Sequence, residues 1–228
     1  MLTVNDVLSI RHPEAPRWSP DGAWLAFHYI VDGATQLNVV PAGGGELVRL
    51  SAADAGAWDW ASDGRVAWAE GPRVMAARPG AVPGAGSGAG PGVLLDGQAP
   101  VGDLKWSPDG RMLAVSRGGK LILLGGQPLL HELSAPGPVL DFWWSPDSAC
   151  IAMLFLDGSQ WDAGVVHVAS RQLTWRSRTR DWEHGLAWLG SDKLSVVRIS
   201  EDASMREYLV VDLKDGSEEV LERETSPR

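Results

Sequence analysis

Cysteine occurs once in the 228 residues, as Cys150. A single thiol excludes an intramolecular disulfide and a cysteine metal cluster, and it suits a reducing compartment such as the cytoplasm. Positive charge is in deficit: 20 Lys and Arg against 29 Asp and Glu leave a formal net charge of −9. That balance disfavours a phosphate-tracking surface, and so a nucleic-acid partner. It also disfavours docking on an anionic membrane. No apolar run reaches the roughly 18 residues of a membrane-spanning helix. The start, "MLTVNDVLSIRH", has no basic segment followed by a long apolar core, so no secretory signal is expected there. Helical periodicity is not sustained in the body of the chain. The one candidate helix is Thr3 to Ile10. Thr3 can cap its first turn, and Val4, Val7 and Leu8 can share a face.

Turn formers and tryptophan are abundant, with Gly 27, Pro 15 and Trp 12. Much of the tryptophan is periodic. Three segments are near copies: "RWSPDGAWLAF" from Arg17, "KWSPDGRMLAV" from Lys105 and "WWSPDSACIAM" from Trp143. Two weaker copies, "WASDG" at Trp60 and "WLGSDK" at Trp188, complete a register centred on Ala26, Ala67, Ala114, Ala152 and Ser195. The steps between these centres are 41, 47, 38 and 43 residues. A period of roughly 40–45 residues is that of propeller blades or a comparable repeat array.

Each copy carries four short apolar or β-branched runs separated by Gly, Pro and Asp, which are strand signals. In the third copy they are "VGDLKWS", "RMLAVS", "KLILLGG" and "PLLHELS". The Pro-Asp-Gly phrase between the first two is a hairpin. Pro pre-sets φ, Asp bonds locally, and Gly110 takes the left-handed conformation that starts the returning strand. Ser148 stands in that glycine position in the fourth copy, at a cost in turn stability. The second strand is apolar on both faces, so it is expected to be buried on both. A small residue at its centre lets neighbouring sheets approach. A β-sandwich or barrel is the rival architecture, but neither needs a strict repeat.

The expected fold is therefore all-β: a β-propeller of about five four-stranded antiparallel blades, with a short N-terminal helix. The helical segment occupies residues 1–12 and the propeller 13–228. Blades fall at approximately 13–55, 56–100, 101–137, 138–180 and 181–228. The Gly/Ala/Pro stretch from Arg78 to Gly92 is expected as a surface loop between the third and fourth strands of the second blade. Glu218, Glu219, Glu222 and Glu224 charge the last strand, which guards an outer edge against pairing.

Residues for a reaction are scarce. No serine sits in G-x-S-x-G. Ser87, in "AGSGA", comes nearest, but Ala85 and Ala89 flank it. His12, His28, His131, His167 and His184 show no zinc-motif spacing. His28 and His167 are expected as hydrogen-bonded strand residues, and His184, with Asp181 and Glu183, as a solvated loop. Asp103 and Asp141, each three residues before a blade tryptophan, can line a channel or bind turn amides; the second is the expectation. The tryptophans are expected in the core first, although Trp143, Trp161 and Trp175 fall off the register and could contact a ligand. Asp109, repeated with its turn, is expected to be structural. No residue is assigned a catalytic, cofactor-binding or metal role, and no cofactor is expected.

The phrases "PRWSPDGAWLAF", "LKWSPDGRMLAV" and "FWWSPDSACIAM" resemble the WD40-like repeats of TolB-type and prolyl-oligopeptidase-type propellers. The line "LTVNDVLSIRHPEAPRWSPDGAWLAF" followed by "LNVVPAGGGELVRLS" resembles the start of bacterial acylaminoacyl-peptidases and their dipeptidyl-peptidase-like relatives. "LAWLGSDKLSVV" with "EYLVVDLKDGSEEVL" resembles a middle blade of that family. The resemblance implies a propeller that caps a C-terminal α/β-hydrolase domain and restricts access to short peptides. Family propellers have seven or eight blades, so the chain looks like a portion of one without its hydrolase domain, and no catalytic residue carries over. The implied function is a non-catalytic module acting with a separate hydrolase domain or subunit. The alternative is a free-standing scaffold that binds a peptide, a protein or a small ligand.

Overall fold

The structure is a computed structural model that describes residues 13–80, 91–125, 130–133, 135–177 and 179–225. Among the described residues there are twenty β-strands and no helix. The helix expected at Thr3 to Ile10 lies outside the described residues, as do His12 and Ser87.

The strands form five four-stranded sheets, each following chain order. The first holds β1 (Pro13–Trp18), β2 (Trp24–Val31), β3 (Ala34–Pro41) and β4 (Val48–Arg49). The second holds β5 (Trp58–Trp60), β6 (Val66–Glu70), β7 (Arg73–Ala77) and β8 (Gly92–Leu95). The third holds β9 (Val101–Trp106), β10 (Leu113–Arg117), β11 (Lys120–Leu124) and β12 (Leu130–Leu133). The fourth holds β13 (Val139–Trp144), β14 (Cys150–Asp157), β15 (Gln160–His167) and β16 (Gln172–Arg176). The fifth holds β17 (Trp182–Trp188), β18 (Lys193–Ile199), β19 (Met205–Asp212) and β20 (Glu218–Thr225). The chain divides into two compact units, Met1–Trp106 and Ser107–Arg228.

Within each unit, sheets stack face to face. In the first unit, Ala26, Leu37 and Val39 pack with Trp58, Trp60 and Trp68 of the second sheet. In the second unit, Ala114 and Leu121 pack with Phe142, Trp144, Ile151 and Met153 of the fourth sheet. Ala152, Leu154 and Val165 then pack with Leu186, Leu194 and Leu209 of the fifth. So β14 presents Ile151, Met153 and Phe155 to one neighbour and Ala152 and Leu154 to the other. This is period-2 alternation with both faces apolar. Ala26, Ala67, Ala114 and Ala152 are all fully buried. A larger side chain at the sheet-packing alanines would hold neighbouring sheets apart. Full burial of each large partner stabilises by about 1.5–3 kcal/mol.

The repeated turn is a closed hydrogen-bond unit. Ser107 Oγ donates to Asp109 Oδ1 at 2.6 Å, and the Arg111 amide donates to the same oxygen at 3.0 Å. The Met112 amide donates to Ser107 Oγ at 3.0 Å. The same three bonds recur around Ser19 and Asp21, and around Ser145 and Asp147. They recur again at Ser200 and Asp202, in "ISEDASM" between β18 and β19. That copy has neither Trp nor Pro-Asp-Gly. The determinant is thus Ser-x-Asp followed by a residue of positive φ: Gly22, Gly110, Ser148 and Ala203 have φ of 68, 69, 63 and 55°.

Two expectations need correction. Trp18 is 56% exposed, whereas Trp60, Trp106 and Trp144 are buried. Trp60 Nε1 donates to the Arg17 carbonyl, one residue before Trp18, and Trp188 Nε1 donates likewise to the Trp143 carbonyl, one residue before Trp144. Trp60 and Trp188 thus dock on the first strand of the preceding sheet of their own unit. Trp18 belongs to the first sheet of its unit, which has no preceding strand within that unit. Second, His184 and Glu183 are not solvated loop. They lie in β17, opposite Val197 and Arg198, and Glu183 is fully buried.

Candidate functional site

The residues singled out in the sequence do not converge. Asp103 and Asp141 each accept the amide of the next residue, at 2.8 and 2.7 Å, within β9 and β13 rather than in a turn. His167 Nδ1 meets Ser170 within its hairpin. His28 lies in β2 and is hydrogen-bonded to the Gly56 backbone, while its Nε2 is buried without a partner and its ring meets Trp58 edge-on at 6.0 Å. Burial holds its pKa below the ordinary histidine value. His184 is likewise held low by burial and by Arg206. Asp109, Asp21 and Asp147 are engaged in turns. Among the described residues, no group of three His, Cys, Asp or Glu side chains could hold a metal ion.

A site that sequence reasoning passed over lies in the second unit. A pocket of about 570 Å³ opens where the β14–β15 hairpin and the segment after β16 meet. Asp157, Gln160, Asp162, Trp175, Arg176 and Thr179 are among its lining residues. The sheet register explains the grouping. Asp157 lies opposite Gln160, Phe155 opposite Asp162, and Gly164 opposite Arg176. Alternation therefore puts Gln160, Asp162 and Arg176 on one face. Gly164 is needed there: an added Cβ would come within 3.0 Å of both Phe155 and Leu173.

Arg176 bridges the two carboxylates. Its Nη2 donates to Asp162 Oδ2 at 2.9 Å and also to Asp157 Oδ2. The Asp162 side chain is 6% exposed. Two polar atoms of this cluster are buried without a partner, Asp162 Oδ1 and Arg176 Nε. Such atoms are costly unless something satisfies them. Trp175 lines the pocket, and Trp161, at the start of β15, is 49% exposed. Gln160 donates to the Arg180 carbonyl, which ties the hairpin to the approach to β17.

Next to this pocket runs a buried ionic ladder. Glu183 accepts from Ser177 Oγ at 3.0 Å, Thr179 Oγ1 at 2.8 Å and Arg198 Nε at 3.1 Å. Arg198 also grips Glu218 with two nitrogens, at 2.8 and 3.0 Å. Arg223 of the last strand donates to Glu207 at 2.7 Å. All four strands of the fifth sheet contribute. Burial pushes the Glu183 carboxyl above its ordinary value, against the bonds from Thr179, Arg198 and Ser177. The acidic last strand is exposed throughout, as an edge guard should be, but Glu218 is also a structural partner.

No family model matches the chain, and no curated protein matches it. Solved structures do. A TolB-like protein from Agrobacterium tumefaciens is 18% identical, with a TM-score of 0.55, over 94% of this chain and 82% of that one. A β-propeller domain from Myceliophteria thermophila is 10% identical, with a TM-score of 0.64, over 94% of this chain and 74% of that one. A puromycin hydrolase mutant complexed with PGG is 18% identical, with a TM-score of 0.67, over 96% of this chain and 38% of that one. The likeness shows the fold. That fold is a β-propeller. Likeness at these identities carries no activity with it.

Proposed function

We propose that this chain is a non-catalytic β-propeller module that acts with a separate α/β-hydrolase domain or subunit and restricts which peptides reach it. The supporting observation is coverage: 96% of this chain matches 38% of the puromycin hydrolase chain. Nearly all of this chain thus corresponds to one part of a longer enzyme. The repeated carboxylates favour the same reading, because Asp21, Asp109, Asp147 and Asp202 accept hydrogen bonds within turns. A cytoplasmic setting fits the lone Cys150, whose thiol burial and Asp147 push above its ordinary pKa and so make less reactive.

The test is to assay the purified chain with acyl-aminoacyl and peptide chromogenic substrates, then to add an α/β-hydrolase encoded beside it. The expected result is no turnover by the chain alone and co-elution with the hydrolase. Turnover by the chain alone, abolished by a serine-directed inhibitor, overturns the proposal. A second reading is a free-standing binder. The pocket lined by Asp157, Gln160 and Arg176 favours it.

A further inference from the structure

We propose that His28 is a pH-sensitive latch between the first and second sheets: neutral, it holds them together, and protonated, it lets the first sheet loosen. This goes beyond the hydrolase-module reading and does not rest on it.

His28 stands in the seam between these two sheets. Its register partners are Glu14 in β1 and Leu37 in β3, and Leu37 is fully buried there with Trp58, Trp60 and Trp68. The ring is hydrogen-bonded to the Gly56 backbone and meets Trp58 edge-on at 6.0 Å. Gly56 is tied to the second sheet, since its amide donates to the Ala69 carbonyl at 2.9 Å. One imidazole of the first sheet therefore touches the second at two points.

Its Nε2 is buried with no hydrogen-bond partner. The Gly56 bond favours a proton on the ring, so the ring donates there and the neutral Nε2 is a bare acceptor. Protonation turns Nε2 into a cationic N–H with nothing to receive it, which is the costlier state. Burial is the largest influence on the ring and lowers its pKa; Glu14 and Asp54 favour the cation, and Arg17 opposes it. The two carboxylates do not rescue it, because Asp54 already accepts the Thr35 amide at 2.6 Å and Glu14 lies in a strand exposed throughout. Parting the sheets returns the ring to water. The stability held by the neutral ring is thus present above the ordinary histidine value of about 6.5, and it is lost as pH falls from there through the lowered one. Asp59, which pairs with Arg17 across the same seam, has a carboxyl raised by burial and so the opposite sign. That background is common to the natural chain and to variants at His28.

The test is hydrogen exchange by NMR on the full chain at about pH 7.5 and about pH 5.5, with rates corrected for the intrinsic chemistry of exchange. Two reporters bridge the seam: the Ala55 amide, which donates to the Thr35 carbonyl at 2.7 Å, and the Trp60 indole, which donates to the Arg17 carbonyl at 3.2 Å. Opening at both should rise by about tenfold at the lower pH, the factor for a ring that ionises only when released. Amides of the fourth sheet should open no more than before. The rise should vanish in His28→Phe, which keeps a ring, and in His28→Gln, which keeps a polar group; neither can titrate. Titration of the His28 ring in the natural chain keeps the test decisive if neither variant folds, and its midpoint should lie below the ordinary histidine value. The proposal is overturned if opening at the reporters ignores pH, if the fourth sheet opens equally, if a folded variant keeps the rise, or if the ring titrates at the ordinary value. None of these outcomes bears on association with a hydrolase, which is measured separately.

Discussion

The Asp109 amide donates to Ser148 Oγ at 3.1 Å, so the turn that lacks a glycine is bonded to the turn of the preceding repeat. Ser148 holds a φ of 63° and is 7% exposed. A left-handed conformation costs a non-glycine residue about 1–2 kcal/mol, and the bond returns about 1 kcal/mol. The serine is therefore not a plain loss relative to glycine.

Ser148→Ala should destabilise by about 1 kcal/mol, because it removes the bond and keeps the strained φ. Ser148→Gly should lie near the natural chain, because lost bond and relieved strain oppose each other. Urea denaturation of the two variants checks this. Equal losses in both would refute the compensation.

What the sequence made legible follows from range. The turns are local: Ser-x-Asp and a positive-φ residue close their own bonds within six positions, so the strands they join could be placed. Even so, Trp and Pro-Asp-Gly are companions rather than causes, since the turn at Ser200 and Asp202 closes the same bonds without them. The pocket was illegible for the opposite reason. Asp162 and Arg176 meet across a bulged strand pair, and nothing in "QWDAG" announces a buried carboxylate. Polar residues at Gln160 and Asp162, alternating in a strand that is otherwise apolar, were the available signal. The burial of Glu183 is illegible for the same reason, since its partner Arg198 is fifteen residues away.

The turn carboxylates should show in acid. Bonds from Ser204, Ser200 and the Ser204 amide lower the Asp202 pKa from 3.8 to about 2. A lowered folded pKa means stability that is present above the unfolded value and lost as pH falls through the folded one. Asp202→Asn should therefore be less stable than the natural chain above about pH 4, and the gap should close toward about pH 2. Urea midpoints across that range measure the gap. A gap independent of pH would contradict the assignment.

The ladder gives the opposite sign. In Arg198→Met, Glu183 loses its cation while still buried, which should cost about 3–5 kcal/mol. Its pKa, already raised by burial, rises further. For a raised carboxyl, the penalty stands at high pH and is relieved as pH falls through the folded pKa. The variant should thus be less impaired near about pH 5 than near about pH 8. Adding Glu183→Gln should recover most of the loss and abolish that dependence. If the double variant is as unstable as the single, the buried charge is not the cause.

The blade tryptophans separate packing from hydrogen bonding. Trp60 and Trp188 donate their indole N–H to carbonyls at 3.2 and 3.1 Å, whereas Trp106 Nε1 is buried without a partner. Replacement by Phe removes ring volume at each site, but it removes a satisfied bond only at the first two. At Trp106 it removes an unsatisfied donor instead, which is a gain. Arg65 stacks over the Trp106 ring at 4.5 Å and can stack over Phe as well. Trp60→Phe should therefore cost about 1 kcal/mol more than Trp106→Phe, with the volume loss held in common. Trp188→Phe should fall with Trp60→Phe despite its greater exposure. Denaturant midpoints for the three variants decide the point, and a largest loss at Trp106 would show that ring packing alone holds these strands.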